Sequence, residues 1–202
     1  MKTLFQRATL LGFGFVMASL FSGCALTKDH VSLSYVPQAN APKYVGANAV
    51  GVRVAVIDNR AVKDKVSAKK NAYGMEMAAI IANEDVADTL KKAIEAELAN
   101  RGFRLNSGGV AVVAELNKFY NDFKTGFFSG STAAEVTMNV QIKRADGSIG
   151  YAKLISGTGG LEHIQLMLGS NAKLALDAAL KDAVAKLCND RTFITALLRG
   201  GR

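Results

Sequence analysis

The chain has 202 residues, 50% of them hydrophobic and 21% charged, with 25 Lys+Arg against 17 Asp+Glu and a formal charge of +8. That apolar fraction favours a globular chain over a disordered one, and two cysteines with two histidines exclude a disulfide-stapled scaffold or a clustered His/Cys metal cage. The basic excess contains no dense Lys/Arg block, so it reads as solvated surface charge, with attraction to anionic headgroups or cell-wall polymers as the alternative.

Residues 1–23 have the three parts of a secretory signal: Lys2 and Arg7 at the start, an apolar run over residues 8–20, and small residues Ser22-Gly23. The run is 13 residues long and holds Gly12 and Gly14, whereas a membrane-crossing helix needs about 20. Leu20-Phe21-Ser22-Gly23-Cys24 resembles the bacterial lipobox, with Phe21 where leucine is usual. Cleavage before Cys24 and lipidation of its sulfur follow as the expectation. Removing 23 residues and the two cations among them leaves 179 residues with a formal charge of +6, enough for one domain with a real core. One acyl chain holds a protein only marginally, two or three firmly, at about 0.8 kcal/mol per buried methylene. With the sulfur of Cys24 consumed, Cys188 is a lone thiol on an apolar helical stripe and reads as a small buried hydrophobe.

Residues 24–48 are small and polar with Pro37 and Pro42, which predicts a flexible tether. Such a chain would span ~25–30 Å and let the domain stand off the lipid. The domain is expected at 49–202. Val50, Val52, Val54 and Val56 alternate along a first strand at 50–58, and the connection 61–82 is basic, its apolar end at 75–81 reading as a short edge strand. A helix follows, capped by Asn83 or Asp85, with Val86, Leu90, Ile94 and Leu98 recurring every four residues and Gly102 as its left-handed stop. A second strand is predicted at 110–120 and a third at 133–144, where Ala134, Val136, Met138, Val140 and Ile142 alternate with Glu135, Thr137, Asn139, Gln141 and Lys143. Asp146-Gly147 marks a hairpin turn into a fourth strand ending near Gly157. A second helix at 171–189 carries Leu174, Leu180, Val184 and Leu187, and a short one covers 192–198. The order β-α-β-β-β-α predicts an α+β two-layer sandwich, a mainly antiparallel sheet with two amphipathic helices on one face and the polar face open.

Asp58-Asn59-Arg60, Asn71-Ala72-Tyr73-Gly74, Asn100-Arg101-Gly102-Phe103, and Phe119-Tyr120 leading into Phe123-Lys124-Thr125-Gly126 occur in order after the lipobox. Together they resemble the YajG family of Gram-negative lipoproteins. The resemblance implies a membrane-anchored periplasmic domain without an established enzymatic activity. By resemblance to enterobacterial lipoproteins, which carry aspartate after the cysteine when retained at the inner membrane, Ala25 favours the outer membrane, with the periplasmic face of the inner membrane as the alternative.

No residue constellation specifies a reaction or a cofactor. The run Gly157-Thr158-Gly159-Gly160 lacks the lysine and the directly following helix of a phosphate cradle and reads as a flexible strand exit. Glu84, Asp85 and Asp88 sit where a helix N-terminus favours negative charge. Asp58 and Arg60, at a strand end, form either a contact site or a local turn with Arg60 paired to an acid. Phe123, Phe127 and Phe128 cluster at a hairpin tip, either displayed to a partner or lipid or folded back as a small core. The expected role is a non-enzymatic envelope module contacting the membrane through Cys24 and an unidentified protein or glycan, with no nucleic acid because of its compartment. A cell-wall hydrolase or transferase, or a small-ligand binding protein, is the alternative.

Overall fold

The structure, a computed structural model, describes residues 26–105, 109–126, 129–144 and 147–200. Among these residues eight strands and three α-helices follow in chain order: β1 (Asp29–Val31), β2 (Gly51–Asp58), β3 (Ser67–Lys70), β4 (Glu76–Ala82), α1 (Val86–Asn100), β5 (Arg104–Leu105), β6 (Val110–Lys124), β7 (Gly130–Lys143), β8 (Ile149–Ile164), α2 (Gly169–Asn189) and α3 (Arg191–Gly200). The α+β class holds. The simple, mainly antiparallel sandwich does not: the sheets are mixed and curl into a half-barrel.

The larger sheet has the order β5-β2-β6-β7-β8. Strands β6, β7 and β8 pair antiparallel, while β2 is parallel to both β5 and β6. The parallel pair arises because the chain leaves β2, crosses through α1 and re-enters beside it, the connection that parallel strands require. A second sheet has the order β1-β4-β3. It continues the curl where β2 ends, since Asn121 N donates to Val66 O at 2.8 Å and Ser67 Oγ to Asn121 O at 2.8 Å.

Alternation places one face of each long strand inward. Val50, Val52 and Val54, then Val136, Met138, Val140 and Ile142, are buried against the helices. In α1 the Asp85 carboxylate caps Asp88 N at 2.8 Å. The helix ends in a Schellman turn, with Gly102 at φ 96°, Gly102 N bonded to Ala99 O and Phe103 N to Leu98 O. Gly147 has φ 82°, as the expected hairpin turn requires.

Three expectations are corrected. The segment 26–48 is not a free tether: β1 pairs with β4 in parallel, Leu33 is buried, and Tyr35 and Gln38 are bonded to α1. The glycine run is not a strand exit, because β8 continues to Ile164 beneath α2. A Cβ on Gly157 would fall 2.3 Å from Ala179 O, and one on Gly159 2.3 Å from Ala175 O, so bare backbone is what lets the helix approach. In α2 the core face is Ala172, Ala175, Leu176, Ala179, Leu180, Ala183, Val184 and Leu187, whereas Leu174 is exposed. The last helix, α3, closes over β8 through Phe193, whose ring meets Tyr151 edge-on at 5.3 Å.

Candidate functional site

The larger sheet turns alternate residues of its long strands outward, away from the buried row. Along β7 the outward positions Ala133, Glu135, Thr137, Asn139, Gln141 and Lys143 are all partly or fully exposed. Glu135 lies at the centre, accepting from Lys118 Nζ at 2.7 Å and Thr137 Oγ1 at 2.9 Å, with Ser156 Oγ at 3.5 Å. The Lys118 and Thr137 hydrogen bonds hold its carboxyl below the usual carboxylate range. The result is a small-residue and hydrogen-bonding surface, ionised at neutral pH.

The outer edge of β8 is guarded. Asp182 of α2 accepts from Thr158 N at 2.9 Å, and Lys186 donates to Ser156 O at 3.0 Å and to Asp182 at 2.7 Å. These side chains occupy outward-pointing backbone groups that could otherwise pair with another strand. They also line, with Lys153 and Asp190, an open groove of about 630 Å³. Burial disfavours ionisation at Asp190, but bonds from Thr192 Oγ1, Lys153 and Thr192 N outweigh it and its pKa is lowered.

Asp58 and Arg60 satisfy one another. Arg60 Nε and Nη2 each donate at 2.9 Å to the two oxygens of Asp58, and Arg60 N donates to Oδ1 at 3.1 Å. The Arg60 hydrogen bonds keep Asp58 below the ordinary carboxylate value. Arg60 is buried, so the structure brings these two together as a local ionic turn rather than as a presented site. Phe123 is also buried, 2% exposed, and belongs to the core; for this ring the displayed alternative is overturned. The extra residue between Leu116 and Lys118 shifts the register of β6, so that Phe119, Asn121 and Phe123 take over the inward positions. Cys24, Phe127 and Phe128 lie outside the described residues.

A buried ionic cluster went unread in the sequence. Glu97 and Arg101 are both fully buried and 3.0 Å apart. Glu97 Oε2 accepts from Tyr35 Oη at 2.7 Å and Gln38 N at 3.0 Å, while Arg101 Nη2 donates to Gln38 Oε1 and Asn189 Oδ1 at 2.8 Å. The cluster thereby binds the N-terminal segment to α1 and to the end of α2. The one sequence signal was the i,i+4 spacing of Glu97 and Arg101, which usually marks an exposed helix pair. Cys188 is fully buried, and burial pushes its thiol up to about 12, so it stays protonated. Among the described residues no group of three or more His, Cys, Asp or Glu is placed to hold a metal ion.

No helix among the described residues is long and apolar enough to cross a membrane. Residues 37–198 match the Lipoprotein_16 family, described as uncharacterized lipoprotein, and the chain belongs to it. Membership agrees with the resemblance to YajG lipoproteins and fits a lipid-anchored envelope protein. The chain is similar in fold to protein XCC0632 from Xanthomonas campestris, with TM-score 0.54 and 12% identity over 84% of this chain and 96% of that one. It also matches a minor lipoprotein from Acinetobacter baumannii, with TM-score 0.46 and 9% identity over 73% of this chain and 95% of that one. No curated protein matches.

Proposed function

We propose that this lipoprotein is a non-enzymatic interaction module of the cell envelope, anchored by lipidated Cys24 at the outer membrane and facing the periplasm. It receives a protein or glycan on the open face of its larger sheet. The observation that carries this reading is the uncovered row from Ala133 to Lys143 on a strand whose opposite row is fully buried. Carboxylate, amide and hydroxyl groups there stand on rigid backbone, which suits a hydrogen-bonding partner more than an apolar ligand. The pairing of Asp58 with Arg60 and the burial of Cys188 support a binding role over hydrolysis, because the groups a reaction would recruit are already engaged or kept neutral.

Photo-crosslinking residues introduced at Asn139 or Gln141 in living cells should give discrete adducts, whereas one at Leu174, exposed on α2, should not. Equal adduct yield from both faces would overturn the assignment of the contact surface. Replacement Cys24→Ser should release the protein from membranes and deplete those adducts.

A further inference from the structure

The first described residues leave the domain beside two loops. Because β1 is parallel to β4 with Asp29 opposite Ile80, the chain before Asp29 runs back along β4 toward Met77, Met75 and the turn at residues 71–75. Lys69 Nζ donates to Thr27 O at 3.0 Å and to Asp29 Oδ1 at 2.8 Å. The amide of the next residue, Lys70, lies 3.3 Å from Met167 Sδ, and Gly169 N donates to Asp29 Oδ2 at 2.8 Å. The chain exit, the β3–β4 turn and the loop after β8 therefore meet at one end of the molecule.

Two consequences follow. Thr27 is pinned only three residues from Cys24, and three residues reach at most about 11 Å, far less than a free 24-residue tether would allow. The same end carries Leu26 (60% exposed), Tyr73 (89%), Met75 (59%), Met77 (42%), Leu166 (63%) and Leu168 (39%). Exposed apolar side chains are ordinary when scattered; these come from three separate segments and surround the exit to the anchor. Lys28 and Lys124, both exposed, add positive charge nearby.

We propose that this end is a membrane-contact surface: the domain rests directly on a phospholipid bilayer through Leu26, Tyr73, Met75, Met77, Leu166 and Leu168. The proposal rests on the reading of Cys24 as the lipidated residue. An anchor within about 11 Å holds these side chains at the headgroup boundary, where tyrosine and apolar groups partition favourably. The strands of the larger sheet then lead away from the lipid, with β7 beginning near it at Gly130 and ending up to about 45 Å further at Lys143.

The chain contains no tryptophan, so a single introduced indole reports one position. Tyr73→Trp and Leu166→Trp are compared with Ile149→Trp, exposed at the start of β8 on the far end, with circular dichroism verifying the fold of each. Each protein is isolated from envelope membranes and reconstituted in phosphatidylethanolamine/phosphatidylglycerol vesicles carrying brominated acyl chains. In a second arm, the chain from Cys24 onward is coupled through that thiol to a maleimide phospholipid in the same vesicles, which buried Cys188 leaves selective. Expected are several-fold stronger quenching and a blue shift for Tyr73→Trp and Leu166→Trp relative to Ile149→Trp. Equal quenching of all three in the coupled arm overturns the contact surface. Absence of acyl mass on Cys24 in the isolated protein refutes lipidation instead, and leaves the contact surface to be decided by the coupled arm.

Discussion

Phe123 and Arg101 are both buried, one as part of the apolar core and the other as a cation at the end of α1. Phe123 follows a bulge that switches the inward row of β6 from Val110, Val112, Ala114 and Leu116 to Phe119, Asn121 and Phe123. Its ring is part of the core, so Phe123→Ala should cost about 3–5 kcal/mol, read as a lowered midpoint in urea with an unchanged slope. A loss below about 1 kcal/mol would place the ring outside the core. Arg101 is the converse case, a cation at a helix end that would ordinarily face water but is enclosed with Glu97, Gln38 and Asn189. Such buried pairs gain little over apolar replacements yet are costly to break on one side.

At the level of elements, the contact of α2 with β8 depends on what is absent from the side chains. Gly157 and Gly159 face Ala175, Ala179 and Ala183, and the nearest atoms to a built Cβ are helix backbone atoms. Backbone cannot yield by a rotamer change, so Gly159→Ala must push the helix outward and should destabilise by about 1–3 kcal/mol. A thermal melt of the variant checks this; an unchanged melting temperature would mean that α2 does not approach so closely. The start of α2 is likewise set from a distance. Leu168 at the cap position has no side-chain cap bond, and Asp29 from β1 reaches across to accept from Gly169 N, placing a carboxylate at the positive end of the helix.

Across the whole molecule, residues 26–48 work as a strap joining β4, α1 and α2. Asp29 is one of its fastenings: burial raises its pKa, but the bonds from Lys69 and Gly169 outweigh burial and lower it from the ordinary 3.8. A folded-state pKa below the unfolded one means that the unfolded chain takes up the proton first. The stabilisation is therefore present above the unfolded value and is lost as pH falls through the folded one. The melting temperature should drop on acidification below about pH 4. In Asp29→Asn it should start lower at neutral pH and fall less. Calorimetry of both proteins from neutral pH down to the acid limit is the measurement, and parallel curves would remove Asp29 from the linkage.

What the sequence determined by itself is what neighbouring residues decide together. Alternation along β7, the valines of β2, the four-residue recurrence in α1 with Asp85 and Gly102 at its ends, and the turn at Gly147 are all local patterns, each enforced by backbone geometry within a few residues. The open polar face of β7 was legible for the same reason. Tertiary structure alone decided the parallel placement of β2 beside β6, the second sheet, the phase change that buries Phe123, the docking of 26–48 and the enclosure of Arg101 by Gln38 and Asn189. In each of these the partner lies dozens of residues away or the signal is one inserted residue. A small or polar side chain carries no mark of whether water or a distant backbone group will satisfy it. The alanine face of α2 shows the same principle: Leu174 looks like core in a helical stripe, yet the core face is the one that two remote glycines allow to come close.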